Sequence, residues 1–390
     1  MTGEAGGLSE GRLLLFVPWE FDMLGGVDVV VDRLWRELEC TKPGQALIGI
    51  QDWTFEGEKS DATGRRFLHV NFPAPSSGRP LAPRYLLTVL RRLPVLLRQL
   101  RQHDIRIGNF HFPRLNVYPL ALLKRLGFWR GRIVLSFHGS DVHEIDAASP
   151  TWRFIARQTD AVTACSDALA RRIEALGLFD RERIKVVHNG IDSAHFQATP
   201  GDSGIVSGTS FILNIGNYVP RKAQNVLLEA FAQIAGRFPD LKLVFAGGID
   251  NGKWLASLHQ LVAERGVAER VVFLENIPQR QVADLMRQAT CLAHAALDEP
   301  FGLVVIEAGA CRLPVVATRV GGIPEIIPSD EFGALVEADE VEALAAALDD
   351  LLRRPEAAAA RARRFQARVF DTFSVAAMTK GYMKVLWGRC

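Results

Sequence analysis

Short, unbroken apolar runs recur along this chain, with helix-length stretches between them. Residues 13–17, 46–50, 67–71, 105–110, 133–137, 160–165 and 183–187 form a first series, and 211–215, 241–246, 271–274, 291–294 and 315–318 form a second. Such runs are too short for helices and lack the alternation of a strand with one wet face, so they read as strands buried on both sides, as in a parallel sheet. Parallel neighbours need crossovers. Helix patterns at 27–40, 85–102, 117–126, 167–176, 223–238, 254–265 and 281–288 supply them. The expected fold class is therefore α/β, with two doubly wound units.

At 390 residues the chain exceeds what one core usually serves. The turn from His188 to Asp192 and the Gly-, Ser-, Thr- and Pro-rich segment 198–208 place the boundary, giving domains 1–200 and 201–371. Helix patterns at 341–370, with a break near Pro355, and at 374–386 complete the chain, and residues 372–390 are expected to pack back on the first domain. Two units of similar design predict a ligand cleft between them. Pro94 should kink or split the helix over 85–102.

Charge excludes some functions and points to others. A net charge of +2 is too small for a nucleic-acid partner to be expected, but residues 65–132 carry fourteen Arg or Lys against one acid, Asp104. Arg84, Arg91, Arg92, Arg98 and Arg101 on the helix over 85–102 could rest on anionic lipid headgroups, or form a solvated face over a leucine core. The N-terminal stretch is Gly-rich and acidic and the first apolar run ends at Pro18, so neither a signal peptide nor a spanning helix is expected. Five scattered cysteines without C-x-x-C spacing argue for reduced thiols in a cytoplasmic protein, at most peripherally associated with a membrane, and against a zinc site.

The stretch from Glu299 to Glu307 concentrates the chemistry. Pro300 and Gly302 end what precedes, and a buried helix over 303–311 would aim free backbone N–H groups at an anion. Glu299 then lies in the loop and Glu307 about two turns up, where a carboxylate meets a hydroxyl-rich ligand. Gly216 to Lys222 ends one strand and precedes a helix, placing Arg221 and Lys222 where a diphosphate needs fixed positive charge. The Gly25–Gly26 pair and His138 each follow a strand of the first series, where open α/β sheets bind ligands. Each feature has a plainer alternative: surface acids, loop cations, a tight turn, a structural histidine. No Walker A, D-x-D, H-E-x-x-H, EF-hand or G-x-S-x-G pattern occurs, so no metal site or cofactor is expected.

Jointly, the E-x7-E stretch Glu299 to Glu307, the G-x5-K loop Gly216 to Lys222 and the G-G-x-P-E turn Gly321 to Glu325 resemble family 4 of the retaining glycosyltransferases. The resemblance covers about 13–387 and is strongest over 211–325. It implies the GT-B architecture, two Rossmann-like domains facing a central cleft, and transfer of a sugar from a UDP- or GDP-sugar to a glycan or lipid-linked acceptor without a metal. It also implies roles: Lys222 and Arg221 on the donor diphosphate, Glu299 and His138 on the donor sugar, and Glu307 on the ribose. The amides of Phe301, Gly302 and Leu303 would bind sugar and phosphate, and Gly25 and Gly26 would approach donor phosphates or acceptor. Asn217, counted with the donor-binding residues, and Ala223 stand where the family usually has arginine and glycine. A non-catalytic nucleotide-sugar or glycan-binding protein, or a sugar-nucleotide epimerase or hydrolase on the same fold, are the rival readings.

Overall fold

A computed structural model describes residues 11–21, 25–75, 82–192, 196 and 209–388. The segment 198–208, read above as the domain boundary, and residues 1–10 lie outside the described residues. The chain divides into two compact units, Met1–Gly190 with Val375–Cys390, and Ile191–Ser374.

The first unit is built on an eight-stranded sheet in the order β3-β4-β2-β1-β5-β6-β7-β8. Its strands are β1 (Arg12–Val17), β2 (Ala46–Gln51), β3 (Gly57–Ser60), β4 (Arg66–Val70), β5 (Ile105–His111), β6 (Arg132–Phe137), β7 (Ala161–Ala164) and β8 (Ile184–Val186). All neighbours are parallel except β3, which lies antiparallel on β4. Leu13 to Val17 are sealed on both faces, which is why β1 is apolar without alternation. Strand order reverses between β1 and β5, so the loops after these two strands diverge and open a crevice at the carboxyl edge.

Helix Pro83–Gln102 contains Pro94 and is not split by it. Pro94 is on the exposed side, while Tyr85 and Val89 before it and Leu96 and Leu100 after it anchor both halves in the core. The last helix, Val375–Trp387, belongs to this unit. Met378 Sδ accepts from the Gly190 N–H at 3.1 Å, and Arg132 Nη2 donates to the Val385 carbonyl at 3.3 Å.

The second unit carries β9 (Phe211–Ile215), β10 (Lys242–Gly247), β11 (Val271–Glu275), β12 (Cys291–His294), β13 (Val315–Thr318) and β14 (Ala334–Val336). They form one parallel sheet in the order β11-β10-β9-β12-β13-β14, and here the order reverses between β9 and β12. Helices Gln224–Ala235 and Val341–Arg353 bury Leu227, Phe231, Leu344 and Leu348 in one core with Leu243 and Phe245 of β10. Arg354 separates Val341–Arg353 from helix Pro355–Thr372, since the residue before a proline disfavours helical geometry. Among the described residues no helix is long and apolar enough to cross a membrane.

Candidate active site

The loop after β9 is locked from below. Tyr218, fully buried, places its hydroxyl 3.2 Å from the Phe245 carbonyl and 3.1 Å from that of Leu274. Its backbone N–H donates to Gly248 at 2.8 Å, and Gln224 Nε2 donates to the Asn217 carbonyl at 2.9 Å. Gly216, at φ +157, passes under the aliphatic stem of Lys222, and a Cβ on Gly247 would sit 2.0 Å from the Gly216 carbonyl. Only glycine at 247 lets the two backbones approach this closely. Lys222 therefore points from a fixed base at the carboxyl ends of the strands.

The loop after β12 meets it across the strand reversal. Lys222 Nζ lies 2.6 Å from Glu299 Oε2, and His294 Nε2, from the last residue of β12, lies 3.1 Å from the same oxygen. Oε1 accepts no hydrogen bond among the described residues. Burial pushes the Glu299 carboxyl up, but the Lys222 charge and the His294 hydrogen bond outweigh it and hold the group well below its usual 4.5. Burial keeps the His294 imidazole below its usual 6.5, against the pull of Glu299. With Glu299 ionised, His294 must donate from Nε2. Arg221 is exposed beside this cluster, and its carbonyl accepts from the Leu297 N–H at 2.9 Å.

The turn after β13 braces Glu299. Gly321 has φ +49, and a Cβ there would fall 1.9 Å from the Glu299 carbonyl oxygen, which accepts from the Gly322 N–H at 3.0 Å. Helix Leu303–Ala310 begins after Gly302 at φ +114, so its first N–H groups, lacking intrahelical acceptors, lie at the sheet's carboxyl edge. Glu307 is buried within this helix at 9% exposure. Ala223 adopts φ +47, ψ 42, the left-handed geometry that favours glycine. The backbone thus keeps a glycine conformation where the sequence has alanine. Asn217 is exposed, donates from Nδ2 to Asp250 at 2.8 Å and accepts from the Gly248 N–H at 3.4 Å, which makes it a loop clamp.

In the first unit, Gly25 caps helix Gly26–Thr41; both glycines are exposed, and a Cβ on Gly25 would meet nothing within 4 Å. His138, after β6, is half-buried, and its Nε2 lies 3.0 Å from Nδ1 of His111, the fully buried last residue of β5. Asp141 accepts from the backbone N–H groups of His138 at 2.9 Å and Gly139 at 2.7 Å. Burial pushes its carboxyl up to about 6 against these bonds.

Residues 196–368 match the family described as glycosyl transferases group 1, and residues 24–195 match glycosyltransferase family 4. Over 286 residues the chain is 33% identical to a GDP-mannose-dependent alpha-(1-6)-phosphatidylinositol monomannoside mannosyltransferase of Mycolicibacterium smegmatis, covering 67% of this chain and 71% of that protein. The chain belongs to the family 4 glycosyltransferases. As such it is a glycosyltransferase that uses a nucleotide sugar. This glycosyltransferase is also 32% identical over 257 residues to a D-inositol 3-phosphate glycosyltransferase of the same organism, covering 62% of this chain and 58% of the relative, less than two thirds of its length. Among solved structures it matches Anabaena HepE in complex with UDP-glucose at TM-score 0.75 and 20% identity, over 97% of this chain and 100% of that one. Sucrose-phosphate synthase from Thermosynechococcus elongatus matches at TM-score 0.74 and 20% identity, over 96% and 98%. These structural likenesses establish the GT-B fold.

Within the glycosyltransferase's second unit the structure brings together Lys222, Arg221, Glu299 and the loop Phe301-Gly302-Leu303, all named from sequence. His294 was missed, because it ends an apolar run that reads simply as a strand; its place five residues before Glu299 was the available signal. His111 was missed for the same reason. Among the described residues no group of three or more His, Cys, Asp or Glu stands where it could hold a metal ion.

Proposed function

We propose that the protein transfers a sugar from a UDP- or GDP-sugar to a glycan or lipid-linked acceptor, with retention of anomeric configuration and without a metal ion. The observation that carries this reading is the Lys222–Glu299–His294 cluster at the strand reversal of the second unit. A carboxylate held well below its usual range by a lysine is a weak base, which supports Glu299 as a hydroxyl-binding group with Oε1 turned to the donor sugar. Lys222 has three N–H donors, so it can keep Glu299 and still engage a phosphate.

In this reading the second unit holds the donor: Lys222, Arg221 and the amides of Phe301, Gly302 and Leu303 on the diphosphate and sugar, and Glu307 on the ribose. The first unit takes the acceptor, with His138 contacting the transferred sugar and Gly25 and Gly26 leaving room for phosphate or acceptor. The bond between the anomeric carbon and the leaving phosphate oxygen breaks. The acceptor oxygen bonds from the same face, and its proton passes to that phosphate oxygen. Negative charge grows on the diphosphate, where Lys222, Arg221 and the helix amides stabilise it in place of a metal.

The mannosyltransferase relative is GDP-mannose-dependent and acts on a phosphatidylinositol monomannoside, which supports a lipid-linked acceptor. Helix Pro83–Gln102 supports it too, exposing Leu86 at 44%, Leu87 at 50% and Leu90 at 60% beside exposed Arg84, Arg91 and Arg98, with no acid in its length. Apolar area on a helix whose own charges are all cationic suits an anionic bilayer surface. The test is nucleoside diphosphate release from GDP- and UDP-sugars, with and without acceptor, in EDTA. Acceptor-dependent release, unaffected by EDTA and giving a product of retained configuration, is expected. Release without acceptor indicates a hydrolase, and thermal stabilisation without release a binding protein; either result overturns the proposal.

A further inference from the structure

The two histidines of the first unit meet edge to edge. His111 Nδ1 and His138 Nε2 are 3.0 Å apart, and the ring centroids are 5.2 Å apart with the planes only 24° from parallel. The centroids exceed the nitrogen separation by about the two ring radii, so the rings are nearly coplanar and collinear through the two nitrogens. A proton on either nitrogen then points along the other's lone pair. Burial holds both imidazoles below their usual value, His138 at about 4, so each is neutral near pH 7 and carries one N–H.

One proton sits between the rings, and its owner decides what His138 offers a ligand. His111 Nε2 is buried with no hydrogen-bond partner. If His138 donated, His111 would carry its proton on that sealed nitrogen, with nothing to receive it. If His111 donates, the sealed nitrogen is only an unused acceptor, and a buried orphan N–H is the rarer defect. We propose that His111 is a positioning residue that donates from Nδ1 to His138 Nε2 and so fixes His138 as the Nδ1–H tautomer, presenting an N–H donor to the ligand. His138 Nδ1 makes no hydrogen bond among the described residues, so this donor is available. It suits a sugar hydroxyl or a phosphate oxygen, both of which accept. This inference rests on the ligand role of His138 proposed above.

A buried frame holds His111 in place. Its strand pairs with β6 in the register His111 to Ser136, and Ser136 Oγ accepts from Asn109 Nδ2 at 2.7 Å and Thr163 Oγ1 at 2.8 Å. The ring of Tyr382, from the last helix, lies 5.8 Å from that of His111.

The test reads the tautomer directly, in the full-length protein with 15N-labelled histidine, from the ring-nitrogen shifts that vanish in His138→Gln. The Nδ1–H pattern is expected for His138 in the wild type and in His111→Asn, whose amide keeps a donor at the Nδ1 position. His111→Leu should give a tautomer mixture, with kcat lowered about tenfold and the donor KM within about twofold, while His111→Asn restores kcat. A wild-type His138 protonated on Nε2 overturns the proposal, as does an unchanged tautomer in His111→Leu. Should His111→Leu fail to fold, the wild-type and His111→Asn spectra decide alone. Full turnover in His138→Gln removes the ligand role of His138, whereas the tautomer assignment stands or falls on the spectrum.

Discussion

Lys222→Met is the most informative perturbation, because it separates two effects of one charge. In the wild type the ammonium lies 2.6 Å from Glu299 Oε2, with side-chain exposures of 13% and 12%. Removing one partner of a buried pair costs about 3–5 kcal/mol, and the residual solvent access here puts the loss near the lower end, about 3 kcal/mol. At roughly 2–4 °C per kcal/mol for a domain of 150–250 residues, the second unit's melting transition should fall ~6–12 °C at pH 7.5.

The pH dependence identifies the cause. Wild-type Glu299 is depressed below 4.5, so its contribution is complete above that pH and fades only as the pH falls below it. In the variant, burial acts on Glu299 with only His294 to oppose it, and the pair takes up a proton as the pH falls from 7 toward 5. Protonation of the folded state then restores stability. The gap between wild type and variant should therefore narrow at pH 5.0 in differential scanning calorimetry. Turnover should fall roughly a hundredfold, the loss of one charge-assisted transition-state contact. A gap that stays constant with pH, or near-normal turnover, refutes the reasoning.

Glu299→Gln should lower kcat, whereas Glu307→Gln should mainly raise the donor KM; steady-state kinetics showing the reverse would exchange their roles. Gly321→Ala, at φ +49 and with its Cβ 1.9 Å from the Glu299 carbonyl, should displace the brace and cut turnover more than tenfold, at a backbone cost of about 1–2 kcal/mol before the clash is counted. Ala223→Gly relieves a left-handed alanine but removes a buried methyl group worth about 0.8 kcal/mol, so chemical denaturation should show little net change. His138, lowered by burial to about 4, contributes stability above 6.5 that is lost as the pH falls toward 4; His138→Gln should flatten that part of the stability profile.

The sheets were legible because buried parallel strands announce themselves as unbroken apolar runs. Phe211–Ile215, Cys291–His294 and Val315–Thr318 carry the bounds read from sequence. Two strands were not read, Gly57–Ser60 and Ala334–Val336. The first is polar and lies antiparallel at a sheet edge, held through Glu58 to Arg66 at 2.5 Å, and the second is three residues long. Helix Pro150–Gln158 was also missed. The candidate site was readable where a loop motif carries its own chemistry, as at Lys222 and Glu299. His294 stands only five residues before Glu299 but ends an apolar run that reads as a plain strand, whereas His111 matters because β5 pairs with β6 and so places it beside His138, 27 residues on. Ala223 shows the converse: an alanine hides a backbone geometry that glycine would have advertised.

Donor binding at the β9–β12 reversal is the central claim, and titration calorimetry tests it without knowledge of the acceptor. GDP- and UDP-sugars should be titrated into wild type, Lys222→Met and His138→Gln. At least one donor is expected to bind the wild type, with affinity weakened tenfold or more in Lys222→Met and far less affected in His138→Gln. Equal affinity in wild type and Lys222→Met, or no binding of any nucleotide sugar by the wild type, would contradict the account.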